Sequence, residues 1–257
     1  MKKNTKKIVT AAGIAAGTAA VASLSAYVTI KALIDTALDR EMPKVMEKAD
    51  KRISGEKSSD EFTNRMESAS ESLAVQPNET VEIIAHDGEK LVGHYFPCEK
   101  PERVIIAFHG WRSSWHRDFG MISDFWYKNN CSVLYVEQRG QNNSSGEYMG
   151  FGLTERFDCL DWLNWEIERC GSDIPVYLAG VSMGATTVLM AAGLQLPPNV
   201  HGIMADCGFT SANAIWEHIA KDNLHIRFGI RSAIADRMCR RKIQVGSKEH
   251  STVEALK

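Results

Sequence analysis

The sequence predicts an α/β fold in which a mostly parallel sheet is flanked by helices. Three observations predict it: short apolar runs typical of buried strands, segments of helical periodicity between these runs, and a serine bracketed by glycines at a strand-to-helix junction. Continuous apolar strands separated by amphipathic helices favour a parallel sheet that is covered on both faces. We expect the pattern to form one domain over residues 79–257.

Apolar runs between turn residues predict the strands. They cover residues 80–86, 90–96, 103–108, 132–137, 174–179 and 200–206. The first two flank Asp87-Gly88, a dipeptide typical of a tight hairpin turn, so we expect them to be antiparallel. One helix is predicted over residues 119–127, and another where apolar residues repeat at helical spacing. These apolar residues are Leu153, Phe157, Leu160, Leu163 and Ile167.

The candidate nucleophile is Ser182, which lies in the pentapeptide Gly180-Val-Ser-Met-Gly184. An apolar strand precedes the pentapeptide, and a helix of small residues follows it. The turn between them is too tight for side chains at Gly180 and Gly184, and it pushes the serine hydroxyl clear of the backbone. The helix also directs its unpaired N–H groups and its positive dipole end at this point. An incidental serine in a glycine-rich turn is the alternative.

A second candidate feature is the strand over residues 103–108, which ends in His109-Gly110-Trp111. Acyl transfer develops negative charge on a carbonyl oxygen, and two backbone N–H donors aimed at that oxygen lower the barrier. We expect Met183 to supply one donor of this oxyanion hole and Trp111 the other. His109 is interpreted as a structural histidine, because lone histidines usually satisfy local hydrogen bonds.

Three stretches, residues 150–162, 180–185 and 205–211, resemble those of a known family. They look like a bacterial group of membrane-anchored, uncharacterised serine hydrolases of the α/β-hydrolase superfamily, and the similarity extends from about residue 80 to the C-terminus. The resemblance implies an α/β-hydrolase fold, an ester, thioester or amide substrate, and no cofactor. Glu137 stands where the corresponding family loop normally begins with aspartate.

The sequence does not provide an evident catalytic acid and histidine, which follow the serine along the chain in this fold. Beyond Ser211 we find no β-type run, and the apolar residues indicate amphipathic helices before a polar tail. These residues are Ile215, Trp216, Ile219, Leu224, Ile226, Phe228 and Ile230. The apolar stretch over residues 202–205 would then lie at the sheet edge. We therefore expect a C-terminally truncated copy that lacks its last strands, about 50 to 60 residues.

Residues within the chain could complete the site instead. The candidate bases after Ser182 are His201, His218, His225 and His250. The first begins a strand at the end opposite to the serine, and the others lie in predicted helical or solvated segments. Asp206 could act as the acid, because it follows a strand at the edge where sites of open α/β sheets are built.

At the amino end, four lysines precede an uncharged stretch over residues 8–30, which is long enough to span about 30 Å of hydrocarbon. We interpret residues 1–34 as a membrane anchor, with a signal peptide as the alternative. The lysines favour a cytoplasmic amino end, and hence a single-pass protein of the cell membrane with its domain on the extracytoplasmic side. The charged residues 35–78 are predicted to be a helical stalk or linker.

The formal net charge of -2 provides no basic field for nucleic acid. The six cysteines have no metal-binding spacing, and no nucleotide-binding or metalloprotease motif occurs, so no metal or cofactor is predicted. The sequence thus predicts a serine hydrolase of a small-molecule or peptide acyl substrate, inactive in its truncated form. The competing interpretation is a catalytically silent, hydrolase-like module that binds a ligand at the cell surface.

Overall fold

The computed structural model describes residues 24–42, 60–223, 225–229 and 231–257. The strands are β1 (Glu79–Ile84), β2 (Lys90–Phe96), β3 (Arg103–Phe108), β4 (Cys131–Glu137), β5 (Val176–Val181) and β6 (Val200–Asp206). The helices are α1 (24–38), α2 (Glu61–Ala74), α3 (Trp115–Lys128), α4 (Glu155–Cys170), α5 (Met183–Ala191), α6 (Ala212–His218), a π-helical turn (Ile219–Asn223), α7 (Arg231–Ile243) and α8 (Thr252–Ala255).

The six strands form one sheet in the order β1-β2-β4-β3-β5-β6. The hairpin β1–β2 and the pair β2–β4 are antiparallel, and the remaining pairs are parallel. Every residue of β4 is buried, as its continuous apolar sequence predicts for a central strand. The carboxyl ends of β3, β4, β5 and β6 therefore meet at one edge, which is where functional loops of parallel sheets gather.

Most predicted elements are confirmed. The hairpin turns at Asp87-Gly88, where Gly88 has a positive φ of 93°. Helix α3 begins at Trp115, earlier than residue 119, because Trp115 and Phe119 are both buried on its inner face. The six cysteines all lie in the described residues and are free thiols.

The prediction for the segment after residue 219 needs correction. Residues 225–229 are irregular, since His225 and Gly229 have positive φ values of 54° and 39° that a right-handed helix does not allow. The expected polar tail instead contains α7, whose Ala235, Met238 and Cys239 are buried at helical spacing. The C-terminal part therefore contributes to the core.

Helix α1 overlaps the end of the predicted membrane segment. In the part of the chain that the structure describes, no helix combines the length and the apolar character that crossing a membrane requires. Residues 8–23 lie outside the described residues. Within α1, Ile30, Ile34 and Leu38 are at most 1% exposed and pack in a cluster with Trp216 and Met238. The expected boundary between residues 34 and 35 thus falls inside a continuous helix.

Helix α2 lies in the segment predicted to be a stalk, and it packs on α3. Its first turn is capped by Asp60, whose carboxylate accepts from the Thr63 N–H at 2.7 Å. The two helices approach so closely that a Cβ on Gly120 would lie 2.7 Å from the Ala69 backbone. Across the same contact, the Ser70 hydroxyl and His116 Nδ1 are 2.9 Å apart. The described part of residues 35–78 is therefore packed against the sheet domain.

Strand β6 is an edge strand of the described sheet. Its residues are exposed or half-buried, and Met204 is 41% exposed although the strand is apolar. This agrees with the expectation that residues 202–205 lie at an edge.

Candidate active site

Ser182 occupies the junction between β5 and α5, and it is half-buried. Its backbone has φ 53° and ψ −111°, a conformation that L-residues rarely adopt. A serine at a helix N-cap normally accepts from a backbone N–H of the first turn, but the Ser182 side chain makes no capping bond. The strained backbone thus turns the hydroxyl away from the helix that it precedes.

The two flanking glycines are required by the closeness of the backbone around the turn. A Cβ on Gly180 would lie 2.3 Å from the Gly184 carbonyl carbon, and a Cβ on Gly184 would lie 1.9 Å from the Phe108 carbonyl oxygen. Both neighbours are backbone atoms, which cannot rotate out of the way. The backbone over residues 180–184 therefore forms a tight strand-to-helix turn that leaves no space for a side chain at either glycine.

We expect Gly184→Ala to destabilise the protein by about 3 kcal/mol, because the added methyl group must separate α5 from the end of β3. Urea unfolding followed by circular dichroism measures the change. Gly202→Ala is the matched control, since its Cβ would meet only the Tyr177 ring, at 3.1 Å. The control should lose less than about 1 kcal/mol. Equal losses in the two variants would mean that the elbow is less tightly packed than its backbone distances indicate.

The loop over residues 110–113 follows β3 and lies beside this elbow. A Cβ on Gly110 would be 3.5 Å from Ser182 Cβ. Most N–H groups of the loop have partners: Gly110 donates to Asp118 Oδ2 at 2.6 Å, Arg112 to Gln141 Oε1 at 2.5 Å and Ser113 to the Gly110 oxygen at 3.3 Å. The backbone N–H of Trp111, in contrast, makes no hydrogen bond to any of the described residues. Met183 begins α5, so its N–H has no partner within the helix either.

His109 fixes the orientation of the next peptide. The ring is fully buried, Nδ1–H donates to the Gly110 oxygen at 2.8 Å, and Nε2 accepts from the Gln138 N–H at 3.3 Å. Burial lowers the pKa of His109, which keeps the ring neutral. Because a trans peptide places its C=O and N–H on opposite sides, the Trp111 N–H points away from His109. This geometry supports a structural role for His109.

Two further polar side chains, Gln138 and Asp118, hold the loop over residues 110–113 in place, and the sequence analysis missed both. The Gln138 side chain donates through Nε2 to the His109 carbonyl and accepts through Oε1 from the Thr187 hydroxyl at 3.0 Å. Thr187 lies one turn into α5 and is buried, as is Gln138. Asp118 holds the other side of the loop, since its carboxylate also accepts from the Ser113 hydroxyl at 2.6 Å. Nothing in the local sequence pattern indicates these contacts.

Glu137, the residue that departs from the family loop, is buried at the end of β4. It accepts from His94 Nε2 at 2.8 Å, and from the backbone and side-chain nitrogens of Asn143 at 2.6 and 3.0 Å. Burial opposes its ionisation, but these hydrogen bonds outweigh burial and lower the pKa of Glu137. The carboxylate therefore stabilises the loop over residues 138–143.

The candidate bases lie away from the nucleophile. His218 pairs with Asp222 on an exposed helical turn at 2.7 Å, and His225 is exposed. His201 begins β6, at the end of the sheet opposite to Ser182. His250 hydrogen-bonds the backbone of Met190, near the far end of α5 and about 12 Å along the helix from the serine. In the described part of the chain, no histidine hydrogen-bonds the Ser182 hydroxyl.

Asp206, the candidate acid, is next to the elbow. Its backbone carbonyl accepts from the Ser182 N–H at 2.8 Å, and β5 and β6 are paired up to Val181 and Asp206. Its side chain is exposed at the carboxyl end of β6. The structure therefore places Asp206 at the correct edge of the sheet, with its backbone rather than its carboxylate in contact with the serine.

No protein-family model and no curated protein sequence matches this chain. Its fold is similar to that of an esterase from Pyrococcus furiosus, Pf2001, with TM-score 0.55 and 18% identity over 71% of this chain and 67% of the esterase chain. Another crystal form of that esterase aligns with TM-score 0.50 and 21% identity, covering 60% of each chain. The complex of DcsB with its substrate analogue aligns with TM-score 0.50 and 18% identity over 64% of this chain and 54% of that chain.

This chain therefore spans 60% of the length of the first esterase structure and 67% of the second. At identities near 20%, the similarity establishes the fold rather than the activity. The fold is α/β-hydrolase-like, with a mostly parallel sheet flanked by helices, and Ser182 lies at the junction of β5 and α5.

Proposed function

We propose that this protein is a serine hydrolase in which Ser182 is the nucleophile. The observation that carries the proposal is the conformation of Ser182, which has φ 53° at a helix N-cap and a hydroxyl that makes no capping bond. Backbone strain of this kind persists only where the surrounding structure enforces it, and here two glycines in contact with backbone atoms do so. The esterase fold of the structural neighbours supports the same class of reaction.

In the proposed mechanism the Ser182 oxygen attacks the carbonyl carbon of an ester, thioester or amide. The oxygen of the resulting tetrahedral intermediate accepts hydrogen bonds from the N–H groups of Trp111 and Met183, neither of which donates to a group of the described residues. Collapse of the intermediate expels the alcohol, thiol or amine and leaves an acyl-enzyme, which water then hydrolyses. Both steps need a histidine base and an acid to carry the proton.

The substrate class follows from the surroundings of the loop. The half-buried rings of Trp111 and Phe209 both contact the buried Phe151, so an apolar acyl or alcohol group at the loop would have aromatic neighbours. No metal or cofactor enters the proposed reaction. The cell-membrane location, with the domain on the extracytoplasmic side, depends on the four lysines and the uncharged stretch over residues 8–30, and it stays a prediction.

Covalent labelling tests the proposal directly. The protein isolated from its own cells is incubated with a fluorophosphonate, digested, and mapped by mass spectrometry. We expect one adduct, on Ser182, formed at a rate that falls when the protein is first unfolded in urea. An intact native protein that forms no adduct on Ser182 contradicts the proposal.

The second candidate function is a catalytically silent module that binds an acyl ligand at the same loop. The observation that favours it is that His218 and His250 bond other groups in the described structure, and none of the candidate bases bonds the Ser182 hydroxyl there, because a serine without a base is a weak nucleophile. The same labelling experiment separates the two functions. A silent module would bind a short-chain boronic acid or carboxylate reversibly and would leave Ser182 unmodified.

A further inference from the structure

The carboxyl end of α1 is held by the two residues that follow Gly110. The Trp111 indole Nε1–H donates to the Ala37 carbonyl at 2.9 Å. The Arg112 guanidinium donates to the carbonyls of Thr36 at 3.1 Å, Asp39 at 2.6 Å and Arg40 at 2.9 Å. Four hydrogen bonds from two adjacent side chains thus join the end of α1 to the loop that carries the proposed oxyanion donor.

Such bonds are favoured where a helix ends. The last carbonyls of a helix have no N–H partner within it, and they carry the negative end of the helix dipole. A guanidinium matches both features, because it is charged and presents several donors in one plane. Arg112 also lies 5.1 Å above the Trp111 ring, so the two side chains stack on each other while they contact α1. The side chains are therefore ordered by α1 rather than by their own loop.

Helix α1 is itself a fixed support. Besides its buried apolar residues, its end forms a bridge in which Asp39 pairs with Tyr148, and the Arg40 guanidinium donates to the carbonyls of Ser144 and Asn142, each at 2.6 Å. On its other side, Lys242 of α7 contacts Asp39 and lies 3.2 Å from Asp35. The helix is therefore attached to the domain independently of Trp111 and Arg112.

We propose that α1 positions the loop over residues 110–113, and that the side chains of Arg112 and Trp111 are the positioning groups that connect the two. The inference rests on the proposed function, since it assigns α1 a role in the same site. Arg112 has a positive φ of 51°, so its backbone does not favour this loop conformation on its own. With the guanidinium fixed on α1, the peptide between Gly110 and Trp111 stays aligned with Ser182. Loss of the contact allows the Trp111 N–H to leave the position that the oxyanion requires.

Arg112→Met tests the inference, and Lys242→Met is the matched control. Both changes remove one cation that contacts the end of α1, but Lys242 does not touch the loop. Hydrogen exchange with mass spectrometry measures the peptide over residues 109–114 in the full chain. We expect Arg112→Met to speed exchange in this peptide by about fivefold or more, and Lys242→Met to leave it within about twofold of the wild type. The readout does not require catalysis.

The kinetic arm uses p-nitrophenyl acetate. A small displacement of one donor should lower kcat by about tenfold in Arg112→Met with KM little changed, because an oxyanion donor acts in the transition state. Arg112→Lys, which can still donate to one or two of the carbonyls, should recover part of the loss. If Arg112→Met lowers the melting temperature but hydrogen exchange over residues 109–114 stays as slow as in the wild type, the inference is overturned. Absence of Ser182 reactivity in the wild type overturns the proposed function instead, and the exchange result then still decides whether α1 holds the loop.

Discussion

In the protein isolated from its own cells, Ser182→Ala is expected to remove the turnover of p-nitrophenyl acetate, with kcat/KM falling by about 10⁴-fold or more. The alanine side chain cannot form an acyl-enzyme, while the backbone that holds it is unchanged. A small residual rate should remain, because the N–H groups of Trp111 and Met183 can still stabilise the oxyanion that forms when water attacks the ester directly. Stopped-flow absorbance measures both the burst of the first turnover and the steady state, and the burst should be lost completely.

Ser72→Ala is the matched control for this change, since it removes an exposed hydroxyl from α2. It should retain the burst and the steady-state rate of the wild type. Circular dichroism checks that both variants are folded. If Ser182→Ala hydrolyses the ester as fast as Ser72→Ala does, the nucleophile is another residue and the proposed mechanism is wrong.

The strands of the sheet could be predicted from the sequence, because buried strands require runs of apolar residues. Strands β3 and β6 have the bounds expected from their apolar runs, and the hairpin turn follows from Asp87-Gly88. The same argument failed after residue 219, where apolar residues suggested a helix but positive φ at His225 and Gly229 interrupts it. Hydrophobicity alone does not distinguish a helix from an irregular segment that buries Phe228.

Helix α1 illustrates a different limit. Ile30, Ile34 and Leu38 repeat at intervals of four, which is the spacing of a buried helical stripe. The sequence analysis divided this stripe between a membrane segment and a stalk, because the residues before the stripe are uncharged and those after it are rich in charge. The partners of the stripe include residues of α6 and α7, almost two hundred positions away, and no local pattern identifies them.

The site was predictable only in part. The pentapeptide specifies Ser182, Gly180 and Gly184, since each is required by one tight turn. The residues that orient the neighbouring loop are Asp118 of α3 and Gln138 and Gln141 of the loop after β4, so they come from two other segments of the chain. Polar contacts of this kind depend on distances between segments, so they become visible only once the fold brings the carboxyl ends of the strands together.

Arg139→Met is expected to destabilise the protein by about 3 to 5 kcal/mol, because it leaves a buried carboxylate without its partner. Arg139 and Asp158 are 7% and 3% exposed, and the guanidinium binds the carboxylate with two donors, Nε at 2.7 Å and Nη2. The pair joins the loop after β4 to the first turn of α4, with Asp87 as a second, more exposed acceptor at 2.7 Å. Urea unfolding at pH 8 measures the loss.

The pH dependence of the free energy of unfolding identifies the cause of this loss in stability. Burial raises the pKa of Asp158, and Arg139 counteracts part of this effect, so removal of the arginine should raise the pKa further. A carboxyl whose pKa is higher in the folded than in the unfolded state stabilises the fold at low pH, and this contribution is lost as the pH rises above the ordinary value of 3.8. The free energy of unfolding of Arg139→Met should therefore be closer to that of the wild type at pH 5 than at pH 8. The double variant Arg139→Met, Asp158→Leu should recover most of the stability at both pH values, since it leaves no buried charge. A loss that is the same at pH 5 and pH 8, and that the double variant does not recover, would assign the effect to packing of the arginine side chain.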